Sequence, residues 1–392
     1  MDIRKWRDRL STVLGIAFRL LPMDKKQILF YSCLNQYNDN PKYIAEKLHE
    51  LSPSLRFVWA TGNLDVTEDI PAYFIKVKYD SVAYHYMKAR SKVLVDNADG
   101  TYSGFATGRA YKRRRLVIKP NQVNISTGHG FPLKISGAAY KPFHGQYSEN
   151  DYFTSSTLLA MGSVLEQNIH EQITNHQVPS KLLGNARADI LFSVTEEKRS
   201  KLRKKLGFPQ DKKVVLYAPT YRDDIEWAGI KQMEMLNVDK LLESFSESCG
   251  GEWVLALRFH QIARQRMKTR TCMVANFIDA NRFGDMMEYL VASDAVITDY
   301  SSTMFDCAIG RIPCVLYTPD WEQYQLDRGL YVNLLETPFP RANKADELYE
   351  IIRKFNRKSY EGKCAQYLKE IGDVNDGNAS AKTTALILNL LG

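Results

Sequence analysis

The run AVITDYSSTMFD (295–306) passes from an apolar, β-branched stretch through a polar junction into residues that suit a helix. It reads as a strand that ends at a helix N-terminus, with Ser301 or Ser302 as the N-cap. The same step recurs along the second half, at VVLYAP (214–219), WVLALRFH (253–260) and CVLYTP (314–319). In the first half it recurs at QILFYS (27–32), RFVWAT (56–61), YFIKVK (73–78), KVLVDN (92–97) and VNISTG (123–128), followed by YFTSS (152–156) and KLLGN (181–185). Helical patterns over Tyr43 to Leu51 and Ser81 to Arg90 fall between these runs, and the tail from Ala345 to Leu391 is mostly helical in pattern. Alternation of this kind predicts βαβ units and parallel sheets with both faces covered. A basic stretch, with Lys198, Arg199, Lys201, Arg203, Lys204 and Lys205 ahead of Gly207 and Pro209, separates two α/β halves. The expected division is 23–195 and 196–392, preceded by a segment of different character at 1–22.

Composition excludes several classes. The 392 residues call for two or three domains, and 44% hydrophobic with 25% charged residues fits a folded chain rather than a disordered one. No stretch approaches the roughly 20 apolar residues that span a bilayer. Fifty-three Lys and Arg against 45 Asp and Glu give +8, which suits an anionic partner: nucleic acid, a phosphorylated substrate or an acidic membrane surface. The six cysteines form no CxxC pair, so zinc and a disulfide framework are disfavoured and free thiols in a reducing cytoplasm are expected. Within 1–22, Ile3, Trp6, Leu10, Val13, Leu14, Ala17, Phe18 and Leu21 recur at helical spacing among basic residues, and Pro22 closes the segment. Two readings stand for it: an amphipathic helix in the plane of an anionic membrane, or a helix packed on the domain behind it.

Ligands of open parallel sheets sit beyond the carboxyl ends of the strands, so chemistry is sought at the strand-to-loop junctions. Gly128-His129-Gly130 follows one strand and leaves the imidazole sterically open, as a general base requires, although a plain glycine turn has the same letters. Thr220 and Arg222 follow another and offer a hydroxyl and a planar fork for phosphate. Arg258 and His260 alternate onto one strand face. Thr298, Asp299, Ser301 and Ser302 precede a helix start, where N–H groups and hydroxyls suit an anion. Each taken singly is equally an ion pair, a satisfied histidine or an ordinary cap. There is no GxxxxGK[ST], GxGxxG, HExxH or GxSxG, which disfavours P-loop NTPases, dinucleotide dehydrogenases, HExxH proteases and α/β-hydrolases.

Together, HGFPLK (129–134), GNARADIL (184–191), YAPTYRD (217–223), LRFH (257–260) and TDYSSTMFD (298–306) resemble the CDP-glycerol glycerophosphotransferases of teichoic acid synthesis. Pro313 to Tyr317, Arg328-Gly329-Leu330-Tyr331 and Asp376 to Ser380 follow in the family's order, so the resemblance runs from about residue 120 to the C-terminus. It implies a GT-B architecture: two Rossmann-like domains facing a cleft, with the nucleotide mainly on the C-terminal one. It implies transfer of glycerol phosphate from CDP-glycerol to a hydroxyl of an undecaprenyl-diphosphate-linked saccharide, with release of CMP. His129 would deprotonate the acceptor. Arg258 and His260 would neutralise the diphosphate. Thr220, Arg222, Asp223, Thr298, Asp299, Ser301 and Ser302 would bind the donor, with Arg187, Asp189 and Lys134 in support.

The chain departs from the family's pattern at Gly128 and Tyr221, where Trp is usual, and at Phe131, where Thr is common. Its length resembles the primases, which add the first unit, more than the long polymerases. The lipid acceptor favours a peripheral position on the cytoplasmic face of the membrane, reached through residues 1–22, Lys112–Arg115 and Arg264, Arg266, Lys268 and Arg270. No cofactor is expected, and metal dependence stays open. Polymerising glycerol- or ribitol-phosphate transferases and sugar-nucleotide glycosyltransferases are the alternatives. Nucleic acid is disfavoured because no RRM-like or helix-turn-helix signature is present.

Overall fold

The structure, a computed structural model, describes residues 13, 17–18, 20–32, 36–65, 69–97, 119–135, 156–174, 176, 178–220, 222, 230–259, 277–282 and 284–392. Apolar, β-rich runs have become two wholly parallel sheets, as alternation with helices requires. The first contains β1 (Asp24–Tyr31), β2 (Arg56–Thr61), β3 (Ile75–Lys78), β4 (Ser91–Asp96), β5 (Val123–Ser126), β6 (Leu158–Met161) and β7 (Ser180–Leu182), in the order β3-β2-β1-β4-β5-β6-β7. The second contains β8 (Lys213–Tyr217), β9 (Trp253–Leu257), β10 (Phe277–Asp279), β11 (Ala295–Thr298), β12 (Cys314–Tyr317) and β13 (Arg341–Ala342), in the order β10-β9-β8-β11-β12-β13. Two parallel α/β sheets of this kind are consistent with a GT-B-like fold. In both orders the winding reverses once, between β1 and β4 and between β8 and β11, and a reversal opens a crevice at the strands' carboxyl ends.

The chain divides into two compact units. The first takes the residues up to Gly130, 136–189 and Asp373–Gly392; the second takes Phe131–Ile135 and Ile190–Gly372. The boundary therefore falls inside the 129–134 motif, leaving His129 with the first unit and Lys134 with the second. The last 20 residues, assigned from sequence to the second half, return to the first. Ala379 and Ile387 join a core built on Phe30, Phe57 and Trp59. Asp189 accepts from the amides of Ala379 and Ser380 at 3.0 and 2.8 Å and so caps the helix Ala379–Leu391. Local pattern could not reveal this pairing across 190 residues.

The second unit has its own core on Tyr217, Leu241, Phe245, Leu255, Ile297 and Tyr317. Of the expected N-terminal helix, only Val13, Ala17, Phe18 and residues 20–22 are described. The Phe18 ring meets Tyr86 edge-on at 5.8 Å. The basic clusters at 112–115 and 264–270 lie outside the described residues.

Candidate active site

In the first unit, the end of β4, the start of the helix Asp39–Leu51 and Arg187 converge on the turn after β5 that carries His129. Gly128 and Gly130 hold φ of +60° and +128°, conformations that side chains rarely adopt. The Asn40 amide donates to the carbonyls of Thr127 and Gly128, each at 3.2 Å, and Arg187 Nη1 donates to the His129 carbonyl at 3.0 Å. The loop carrying the imidazole is thus held from two sides. Asn40 also accepts from the Arg187 amide at 2.9 Å. Asp39, itself at φ +58°, accepts from Asn97 Nδ2 at 2.9 Å and faces Arg187 at 3.4 Å.

The ring is oriented by the next strand. Nδ1 of His129 lies 3.1 Å from the Asn97 carbonyl, which can only accept, so Nδ1 carries the proton. In the neutral ring the basic lone pair is then on Nε2. Asp39, Asn40 and Asn97 were not singled out in the sequence. Asn97 stands just past β4 in DNADG (96–100), and Asp39 and Asn40 open the helix Asp39–Leu51 in NDNP (38–41), where Asn and Asp read as ordinary turn or cap residues.

In the second unit, the segments after β8, β11 and β12 meet. Arg222 donates through Nε and Nη2 to the two oxygens of Asp320 at 2.7 and 3.1 Å, and through Nη1 to the Thr220 carbonyl at 2.7 Å. Nη2 also lies 2.9 Å from Asp299. The guanidinium sits over the rings of Tyr300 and Tyr324, which stack at 3.7 Å. Two carboxylates and a carbonyl thus engage most of the donors of Arg222. Asp299 is committed too, because it accepts from the amides of Thr220 and Tyr300 at 2.9 and 2.6 Å. Thr298 turns its hydroxyl to the Ala218 carbonyl at 2.6 Å and is fully buried.

What this framework leaves to a ligand is narrower. The Thr220 hydroxyl is buried without a hydrogen-bond partner. Lys134 arrives on Phe131–Ile135, which pairs with Arg328–Tyr331: Tyr331 donates its amide to the Leu133 carbonyl at 2.8 Å, and Ile135 donates to Gly329 at 3.2 Å. Gly329, at φ +72°, leaves room for Ile135, whose Cδ1 would lie 2.7 Å from an added Cβ. Desolvation pushes the Lys134 ammonium down to about 7 against the pull of Asp299, and Arg328 and Arg222 add to the lowering.

Ser301 receives the Thr303 amide at 3.3 Å and donates to the Thr303 hydroxyl at 3.0 Å, whereas the Ser302 side chain makes no capping bond. Arg258 donates to the carbonyls of Ala280 and Gly284 at 2.7 and 2.9 Å, with its guanidinium 4.5 Å from the centre of Tyr289. Asp189 caps the C-terminal helix and does not reach the His129 loop through any of these bonds. His260, Asp223 and Tyr221 lie outside the described residues. No group of three or more metal-binding side chains occurs among the described residues.

Residues 14–389 match the family described as CDP-glycerol:poly(glycerophosphate) glycerophosphotransferase. The chain is 29% identical over 373 residues to a teichoic acid poly(glycerol phosphate) polymerase of Staphylococcus epidermidis, covering 88% of this chain and 48% of that one. It thus spans about half the length of that relative. It is 28% identical over 417 residues to a polymerase of the same name from Bacillus spizizenii, covering 98% of each. A teichoic acid glycerol-phosphate primase of Bacillus subtilis is also similar, over 64% of this chain. A solved structure of the wall teichoic acid polymerase TagF shares the fold, with a TM-score of 0.77 at 24% identity over 100% of this chain and 99% of that chain.

Proposed function

The chain belongs to the CDP-glycerol:poly(glycerophosphate) glycerophosphotransferase family, and from that premise we propose that it transfers glycerol phosphate from CDP-glycerol to a hydroxyl of a lipid-linked saccharide, releasing CMP. Nε2 of His129 takes the hydroxyl proton. The oxygen attacks the phosphorus that bears glycerol, and the bond from that phosphorus to the bridging oxygen breaks. CMP leaves with the electron pair. The observation that carries this reading is the His129 Nδ1 contact to the Asn97 carbonyl, because it selects the tautomer with a basic Nε2. General-base catalysis of this kind contributes about 10²–10⁴ in rate.

Negative charge gathers on the leaving phosphate, which calls for cationic and hydroxyl groups. Lys134 and the Thr220 hydroxyl are the direct donor contacts in this proposal. Arg222 and Asp299 act through Thr220 as positioning residues. Ser301, Ser302 and Arg258 line the same strand ends, and His260 and Asp223 complete the donor set. The acceptor lipid places the protein at the cytoplasmic face of the membrane as a peripheral enzyme; no described helix is long and apolar enough to cross a bilayer.

The transfer proposed first is a single priming unit. Repeated transfer is the second reading, favoured by the whole-length likeness to the Bacillus spizizenii polymerase. The test is CMP release from CDP-glycerol with and without a lipid-linked disaccharide analogue, with His129→Gln as control. Acceptor-dependent CMP that falls at least about 100-fold in the variant supports the proposal. No CMP from the folded wild type overturns it, and product mass separates one unit from many.

A further inference from the structure

The helix Val164–Ile173 follows β6, and two of its side chains lie close to the Gly128–His129 turn. Glu166 is only 1% exposed. Its Oε2 accepts from the Gly162 amide at 2.7 Å and from Asn185 Nδ2 at 3.4 Å, while Oε1 is buried without a hydrogen-bond partner. A Cβ built on Gly128 would lie 4.0 Å from that oxygen and 3.9 Å from Nε2 of His170, one helical turn on. A Cβ on Gly162 would lie 2.9 Å from Oε2 and collide with Asn185, so the backbone closes tightly around the carboxyl.

Burying a carboxyl with an unused oxygen is costly, and an amide would satisfy the Gly162 contact equally well. What the carboxyl adds is charge beside Gly128, the residue that precedes the base. We infer that Glu166 is a positioning residue for His129: it packs under the Gly128–His129 turn and, once ionised, stabilises the imidazolium that His129 becomes on taking the acceptor's proton. The inference rests on the assignment of His129 as base. Arg187 after β7 and Asp373 ahead of the C-terminal helix act on Glu166, with Asp39 behind Arg187; His170, on the same helix, shares its place against Gly128 and is the group that feels His129 on the turn. Burial pushes Glu166 up to about 7, and burial with the nearby His129 pushes His170 down to about 3, so Glu166 is the one of this pair that changes charge near neutral pH.

An ionised carboxylate raises the pKa of a nearby imidazole, so its removal lowers it. The experiment is an NMR titration of the histidine ring protons in the full chain, with His129 assigned by its loss in His129→Gln, compared between wild type and Glu166→Gln. Support is a fall in the His129 midpoint of about one unit. In turnover the rising pH limb of kcat then moves down by the same amount and kcat at pH 8 falls several-fold, while KM for CDP-glycerol holds. A purely structural Glu166 leaves the His129 midpoint in place, and that result overturns the inference. If Glu166→Gln does not fold, the wild-type curve decides: a second inflection near pH 7 supports coupling and a single inflection overturns it. A His129 shift in a protein that releases no CMP keeps the coupling and removes only the proposed reaction.

Discussion

Arg222 and Asp320 form a two-bonded pair, Nε to Oδ2 at 2.7 Å and Nη2 to Oδ1 at 3.1 Å, with both side chains less than a tenth exposed. The pair joins the loop after β8 to the loop after β12, and Asp299 ties in the loop after β11. The geometry is that of a framework: the guanidinium spends most of its donors on the protein and thereby fixes Thr220, whose carbonyl it holds and whose amide Asp299 holds.

Removing that guanidinium leaves two buried carboxylates without their shared counter-charge. Arg222→Ala is expected to cost about 3–5 kcal/mol of unfolding free energy, the usual penalty for breaking a buried ion pair. Arg222→Lys keeps the charge but loses the planar fork, and should recover only part of the loss. Urea unfolding checks this. A loss below about 1 kcal/mol for Arg222→Ala, the range of exposed pairs, would return Arg222 to the role of an open ligand.

Lys134 is held near its titration point by burial among Arg222 and Arg328. An anionic diphosphate in contact with it would favour the ammonium, so at pH 8 donor binding should take up a substantial fraction of one proton. Calorimetry of CDP-glycerol binding in two buffers of different ionisation enthalpy measures that number. Lys134→Met should abolish the uptake and weaken binding. An uptake identical in wild type and variant would place the donor phosphates elsewhere.

Much of the frame was legible because its strands are long, apolar and β-branched: β2 falls on the run RFVWAT, and β1 and β4 lie within one to three residues of their sequence patterns. β6 was missed, being only four residues, LLAM, with no alternation to mark it. β10 and β13, at the edges of the second sheet, have three and two residues. His129 and Lys134 stood out because motifs carry them. Asn97 and Asp320 did not, since an Asn or Asp after a strand has the letters of a turn, and only tertiary contact shows one holding an imidazole through its carbonyl and the other an arginine. Arg222 is the converse case: its residue type suggests a phosphate ligand, and only the fold shows that it also joins Asp299, Asp320 and Thr220.

The return of the C-terminal helix depends on Gly184. Its φ is +87°, and a Cβ there would stand 2.7 Å from the Ala379 Cβ. Gly184→Ala therefore combines a left-handed backbone with overpacking and should cost on the order of 2–4 kcal/mol. Proteolysis should open the C-terminal helix first, because Asp189 would lose its seat on the Ala379 and Ser380 amides. Wild-type resistance of that helix in the variant would show that Gly184 is not the close contact that holds it.

Glu166 also gives stability a definite pH dependence. Its carboxyl titrates at about 7 in the folded chain against an ordinary 4.5, so the folded state keeps a proton that the unfolded state has already lost. The stability it contributes is fully present below the unfolded value and is lost as pH rises through 7. His170, pushed down to about 3, has the opposite sign and acts at lower pH; Asp373, raised to about 6, shares the sign of Glu166. Comparing wild type with Glu166→Gln at pH 5 and again at pH 8 cancels both neighbours. Between those two pH values the wild type should lose roughly 2 kcal/mol relative to the variant. Parallel stability curves would mean that Glu166 is ionised across the whole range, and its buried Oε1 would then need a partner that neutralises it.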